Sequence, residues 1–188
     1  MKQLLILSGK GGTGKTTVAT AFIKLANAKG YADCDVDAPN LHLLMHQKTE
    51  KLSSNYYGMD KASIDYSKCI DCGECLKHCR FDAIEKKDRY IINPFACEGC
   101  SVCQYVCPVN AITMNNDIAG ELMLYKDEAV FSTAQLKMGS GTSGMLVSEV
   151  KKSLRENVVG AELAIIDGSP GIGCPVIASI TGVDFVLI

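Results

Sequence analysis

Residues 2–17 read KQLLILSGKGGTGKTT. Leu4, Leu5, Ile6 and Leu7 are continuously apolar, as in a parallel strand buried on both faces, and the strand reading covers Met1 to Ser8. Glycines follow at positions 9, 11, 12 and 14. Thr17 to Lys29 then carries Val18, Ala21, Phe22, Leu25 and Ala26 at helical spacing, with Gly30 placed to cap the helix. Strand, glycine loop and helix open a βαβ unit. In that context the G-x-x-x-x-G-K-[ST] pattern of Gly9 to Thr16 is a phosphate-binding loop. Its backbone amides close around phosphate oxygens at the positive end of the helix. The expected cradle is Gly9, Lys10, Gly11, Gly12, Thr13, Gly14, Lys15, Thr16 and Thr17. Lys15 reaches the β and γ phosphates in this reading, and the Thr16 hydroxyl ligates Mg²⁺.

The late part of the chain repeats the short apolar strand at Glu162–Asp167 and Val183–Ile188. Between Gly144 and Asn157, Met145, Leu146, Val150 and Leu154 form a helix face, and Lys151, Lys152 and Arg155 suit the negative end of its dipole. Leu122–Tyr125 and Val130–Ala134 alternate around Lys126-Asp127-Glu128, a hairpin pattern. The glycine- and serine-rich run Lys137–Gly144 reads as a flexible connection with Ser143 as helix cap. Residues 48–65 are polar and read as a linker.

The chain has 188 residues with 47% hydrophobic and 21% charged, enough apolar material for a domain core. A net charge of -2 provides no basic field, which argues against nucleic acid as a partner. No apolar run reaches membrane-spanning length. The opening residues lack a cleavage site, and eight of ten cysteines crowd between Cys69 and Cys107, so the reading is metal in a reducing compartment, taken as the cytoplasm, and not a disulfide framework.

Those eight cysteines form an internal repeat, CIDCGECLKHCRFDAI at 69–84 and CEGCSVCQYVCPVNAI at 97–112, offset by 28 residues. Each copy reads C-x2-C-x2-C-x3-C. Structural zinc sites pair two knuckles across a longer spacer and do not need three cysteines in seven residues followed by a fourth. The run resembles bacterial two-cluster ferredoxins, in which the fourth cysteine ligates the other cluster. The resemblance implies two [4Fe-4S] centres, one on Cys69, Cys72, Cys75 and Cys107, the other on Cys97, Cys100, Cys103 and Cys79. Pro108 follows Cys107 as the pattern expects, whereas Arg80 follows Cys79, which loosens that turn and brings a cation near its cluster.

The early lysine sharpens the reading of the loop. KGGTGKT resembles the deviant Walker A motif of the MinD/ParA/Mrp class, which includes the nitrogenase iron protein, and Lys10 in that class reaches the nucleotide of a second copy. The resemblance implies a nucleotide-dependent homodimer. Asp33 to Leu41, DCDVDAPNL, resembles switch I of the class, whose aspartate orients the attacking water; both Asp33 and Asp35 are candidates, with Asp35 preferred. Ile165 to Gly171, IIDGSPG, resembles Walker B and switch II, with Asp167 in the Mg²⁺ shell. Cys174 follows at the place of a cluster cysteine of the nitrogenase iron protein, but a buried apolar thiol is the preferred reading, as it is for Cys34 in the core.

The implied fold class is α/β: a P-loop NTPase with a mainly parallel sheet flanked by helices, plus an inserted α+β ferredoxin-like domain. The expected division is 1–59 and 116–188 for the ATPase domain and 60–115 for the insert. Only Tyr31 and Ala32 separate Gly30 from switch I, too few for a full buried strand, and the final apolar strand is where the class continues, so a truncated chain is expected. The function implied is a partner-stimulated ATPase coupling nucleotide state to electron transfer towards a redox partner. The alternatives are an Mrp-type factor delivering clusters to apo-protein clients, and a MinD/ParA-type spatial organiser.

Overall fold

A computed structural model describes residues 1–188. In chain order the elements are β1 (Lys2–Ile6), α1 (Lys15–Leu25), β2 (Gly30–Asp33), α2 (Leu41–Leu44), β3 (Leu52–Tyr57), β4 (Lys61–Ile64), α3 (Glu74–His78), β5 (Ile84–Lys86), β6 (Tyr90–Ile92), α4 (Val102–Tyr105), β7 (Ile112–Asn115), β8 (Ile118–Lys126), β9 (Val130–Leu136), α5 (Ser143–Asn157), β10 (Leu163–Asp167), α6 (Cys174–Ile180) and β11 (Phe185–Leu187). They fall into two compact units. One contains Met1–Tyr56, Gly120–Met138 and Thr142–Ile188; the other contains Tyr57–Ala119 with Gly139–Gly141. No helix is long and apolar enough to cross a membrane.

The first unit is a seven-stranded sheet in the order β11-β1-β10-β2-β9-β8-β3. From β11 to β9 the pairs are parallel, and β8 turns back antiparallel on β9, as the hairpin reading requires. Alternation sets the two faces. Phe131 and Ile165 point to the face covered by α1, packing with Ala19, Ile23 and Leu41, and Tyr31 stacks on Phe131 at 5.0 Å between ring centroids. Ser132, the next residue, faces α5, where its hydroxyl donates to the Val150 carbonyl at 2.9 Å. Leu146, Val147, Val150 and Leu154 are all buried along α5, so this face of the helix supplies the second half of the core.

Four local expectations change. α1 begins at Lys15, and the left-handed residue past its end is Asn27 (φ 45°), not Gly30. Gly30 opens β2, and a Cβ there would stand 2.9 Å from a Val158 methyl, so close packing under the end of α5 accounts for this glycine. β2 needs only four residues because all four are buried and Asp33 itself is the last of them, paired with Asp167. Ser143 is the first residue of α5; Thr142 takes the cap position without a side-chain capping bond. Finally, residues 48–65 are not a plain linker, since β3 and β4 form within them.

The second unit has two two-stranded antiparallel sheets, β4 with β7 and β5 with β6. The 28-residue repeat is visible in its turns. The Cys69 amide bonds to the Asp65 carbonyl and the Cys97 amide to the Asn93 carbonyl, each at 3.1 Å. Its apolar core is small: Ala62, Ala83, Cys97 and Ile112, with Cys75, Cys79, Cys103 and Cys107 packed against them.

Candidate nucleotide and cluster sites

Parallel strands present their carboxyl ends to ligands at one edge of a sheet. The register of β1, β10 and β2 brings the ends Ile6, Asp167 and Asp33 to that edge together. The loop between β1 and α1 turns through Gly12 (φ 77°) and Gly14 (φ 89°), the two positions where the left-handed backbone calls for glycine. A Cβ on Gly9, Gly11, Gly12 or Gly14 would meet nothing within 4 Å, so the space beside the loop is open. Gly14 caps α1 without a side-chain bond and the first turn holds no acid, leaving the helix dipole and its first amides free for an anion.

A cavity of about 410 Å³ lies here, lined by Ser8, Gly11, Gly12, Gly14, Lys15, Thr16, Thr17, Asp35, Asn40 and Pro170 together with Leu43 and Leu44. Gly9, Lys10 and Thr13 are exposed on the outer side of the loop and do not line it. The Lys10 carbonyl accepts the Ser8 hydroxyl at 2.9 Å, which holds the turn, while its side chain is free to reach outwards. Ser8, Leu43 and Leu44 lie outside every motif read from the sequence, and Asn40 and Pro170 lie inside two of them without an assigned role.

At the floor of the cavity the Lys15 ammonium is paired with Asp167 Oδ1. Asp167 is fully buried, and its second oxygen, Oδ2, has no hydrogen-bond partner. A buried carboxylate oxygen without a partner is costly. A carboxylate oxygen left without a partner next to the phosphate loop's lysine fits a hard divalent cation that takes oxygen ligands. Gly168 follows, where a Cβ would come within 2.5 Å of Leu7, so the segment after β10 is glycine for close approach to β1.

The structure separates the two switch I candidates. Asp33 is fully buried and does not line the cavity; its carboxylate accepts the amides of Asp35 at 3.0 Å and of Asn40 and Leu41 at 2.9 Å each. It therefore ties down the start of α2. Burial pushes its carboxyl up to about 6, although those amide bonds pull the other way. Asp35 lines the cavity, and its carboxyl is raised by burial and lowered by Lys15. The segments after β2 and β10 are laced together: the Cys34 amide donates to the Asp167 carbonyl at 2.8 Å, and the Ser169 hydroxyl donates to the Cys34 carbonyl. Cys34 is wholly buried and its thiol is pushed up to about 12 by burial, so it is core. Cys174 is exposed at the start of α6, contrary to the buried reading.

In the second unit the eight repeat cysteines surround two cavities. Cys69, Cys72, Cys75 and Cys107 line one; Cys97, Cys100, Cys103 and Cys79 line the other. Each cavity thus takes three cysteines from one repeat and the last from the other. Gly73 (φ 83°) and Ser101 (φ 63°) make the corresponding left-handed turns inside the two loops. Four thiolates around one zinc ion would stand about 3.8 Å apart, given Zn–S bonds near 2.3 Å. No three His, Cys, Asp or Glu side chains of this chain converge closely enough to hold a single ion. Thiols spread around an apolar cavity suit a multi-iron cluster instead. Burial raises the Cys75 and Cys103 thiols, so a positive partner is required to keep those sulfurs as thiolates.

Comparison with known proteins supports the cluster reading of the second unit. Residues 62–114 match the 4Fe-4S dicluster domain family. The uncharacterized protein MJ0578 of Methanocaldococcus jannaschii is 37% identical over 190 residues, covering 98% of this chain, which spans 66% of that protein. Pyruvate synthase subunit PorD of Methanothermobacter marburgensis is 35% identical over 69 residues, covering 37% of this chain and 83% of PorD. Among solved structures, the septum site-determining protein MinD of Pyrococcus horikoshii, complexed with Mg-ADP, covers 95% of this chain at 18% identity with a TM-score of 0.41, and this chain spans 53% of it. The chain thus joins a unit with a phosphate-loop pattern between strand and helix, at the edge of a mainly parallel sheet, to a unit that matches the 4Fe-4S dicluster domain family and builds paired four-cysteine cavities.

Proposed function

We propose that this protein binds and hydrolyses MgATP at the β1–α1 loop and couples its nucleotide state to two [4Fe-4S] clusters. The observation that carries the reading is the Lys15–Asp167 pair with its unpartnered Asp167 Oδ2, in a chain that also builds two four-cysteine cavities. The clusters, when bound, supply one-electron transfer without proton or bond changes.

The chain's own groups account for the rest. The amides of Gly11 to Thr17 hold phosphate oxygens. With nucleotide bound, Lys15 would turn from Asp167 to the β and γ phosphates, and Thr16 and Asp167 would hold the Mg²⁺ that neutralises phosphate charge. Asp35, facing the cavity, orients the water. Asp33 holds α2 and hence the frame on which Asp35 sits. Because Ser169 and the Cys34 amide lace switch II to switch I, movement at one is felt at the other. Lys10, exposed at the rim, is placed to reach the nucleotide of a second copy, making a nucleotide-dependent homodimer. The client in this reading is a redox partner in a reducing compartment. One observation favours cluster delivery to an apo-protein as a second reading: Cys174 is an exposed thiol directly after switch II.

The test is the mass of the reconstituted protein in gel filtration, with and without MgATP under conditions that block hydrolysis. The expected result is a doubling of mass with nucleotide, lost in Lys10→Ala although that variant still binds ATP. A wild-type protein that stays monomeric with nucleotide bound would remove the role of Lys10.

A further inference from the structure

The two cluster cavities are related residue by residue. Every residue lining the first has its counterpart 28 positions away lining the second, from Ile64 and Ile92 to Ile112 and Ile84. Against so close a correspondence, the differences carry the information. Ile70 in the first cavity is replaced by Glu98 in the second, and Tyr90 by Ala62. Lys86, whose ammonium lies 4.4 Å from the Tyr90 ring centroid, has Met114 as its counterpart on the second cavity. A further difference lies at the crossing cysteines. The Ala111 amide donates to Cys107 Sγ at 3.2 Å, whereas Ala83 makes no such bond to Cys79. Pro108 shapes the turn after Cys107, and Arg80 stands in its place after Cys79.

Charge and hydrogen bonds at the sulfurs set cluster potentials. An N–H bond to a ligand sulfur and a nearby ammonium favour the reduced, more negative state, and a carboxylate disfavours it. Several other groups do not decide the order. Lys86 is paired with Asp71, which reduces its weight. Lys61 bonds the Cys97 carbonyl at 2.5 Å, whereas its counterpart Arg89 stacks over Tyr66, so this one cation acts against the trend, through a backbone carbonyl and not a sulfur. The amides of Leu76 and Gln104 bond Cys75 and Cys103 alike. Arg80 opposes the trend, but it is exposed and does not line its cavity, so water screens it.

Building on the cluster reading above, we infer that the two sites are unequal in a fixed order. The site of Cys79, Cys97, Cys100 and Cys103 is the lower in potential, because Glu98 stands at it and Cys79 lacks its amide bond. The site of Cys69, Cys72, Cys75 and Cys107 is the higher, so a single electron on the pair rests there.

The test is an anaerobic redox titration of the nucleotide-free protein, followed by EPR, on wild type, Glu98→Gln and Ile70→Glu. Ile70 is 61% exposed and Glu98 is exposed, so both variants keep the fold. The wild type is expected to show two midpoints. Glu98→Gln raises only the lower one, with the reduced-to-oxidised ratio at fixed potential up about twofold or more. Ile70→Glu lowers only the upper one. Coincident midpoints, Glu98→Gln acting on the upper midpoint, or neither variant moving either would overturn the order. Since no nucleotide is present, none of these outcomes bears on the coupling to ATP.

Discussion

Lys15→Ala is expected to lower the unfolding free energy of the nucleotide-binding unit by about 3–5 kcal/mol, the cost of breaking a buried ion pair from one side. The size follows from burial. The side chains of Lys15 and Asp167 are 7% and 0% exposed, so the carboxylate left behind has neither a protein partner nor water. Asp167 Oδ2 already lacks a partner, and the substitution orphans Oδ1 as well. The same variant is expected to lose the response to nucleotide. MgATP raises the thermal midpoint of a protein that binds it by mass action, and Lys15→Ala shows no such rise. Hydrolysis falls by about 10²–10³-fold, the typical effect of deleting one preorganised group that stabilises developing charge. Chemical denaturation followed by a probe in the sheet, with and without MgATP, measures the first two effects together. If Lys15→Ala were as stable as wild type and still stabilised by MgATP, neither the buried pair nor the cradle assignment would stand.

Removal of iron is the second large effect, and it is confined to one unit. Stripping the clusters with a chelator is expected to abolish hydrogen-exchange protection across residues 57–119 while the sheet around β1 and β10 stays protected. The reason lies in what remains. Without metal, the core of that unit is a few alanines, Ile84, Ile112 and cysteines, with Ile64, Ile92 and Met114 only partly buried against them. Its sheets have two strands each, and its helices are five and four residues long. Such elements are marginal alone. They cannot offset an ordering cost on the order of 1–2 kcal/mol per residue. Exchange there is expected to accelerate on the order of a thousandfold, about 4 kcal/mol of local stability. Unchanged protection after complete loss of iron would mean that the unit is held together by something other than its clusters.

Much of this was legible in the sequence because some residues can do only one thing. Gly12 and Gly14 sit where the backbone turns left-handed, and the repeat Cys69–Ile84 and Cys97–Ile112 reappears as two cavities with matched linings. Other features depended on packing, which periodicity does not report. Gly30 looked like a helix cap but is a glycine because Val158 passes 2.9 Å from where its Cβ would be. Asn27 took the left-handed position instead, a role asparagine tolerates. Residues 48–65 read as linker because β3 is exposed at all but Tyr56 and β4 is only four residues long, so neither carries a strong apolar alternation. Asp33 and Asp35 are two residues apart, and only the burial of the first against the amides of α2 tells them apart. Cys174 was read as buried on the general habit of free cysteines, yet the start of α6 leaves it in solvent.

Coupling between the nucleotide state and the clusters is read by an anaerobic EPR-monitored redox titration of the reconstituted protein with and without MgATP. Two [4Fe-4S] signals are expected, at least one of whose midpoints shifts when MgATP is added to wild type and stays put in Lys15→Ala. Midpoints that ignore MgATP, in protein shown to have bound it, would mean that the two halves of the chain work independently.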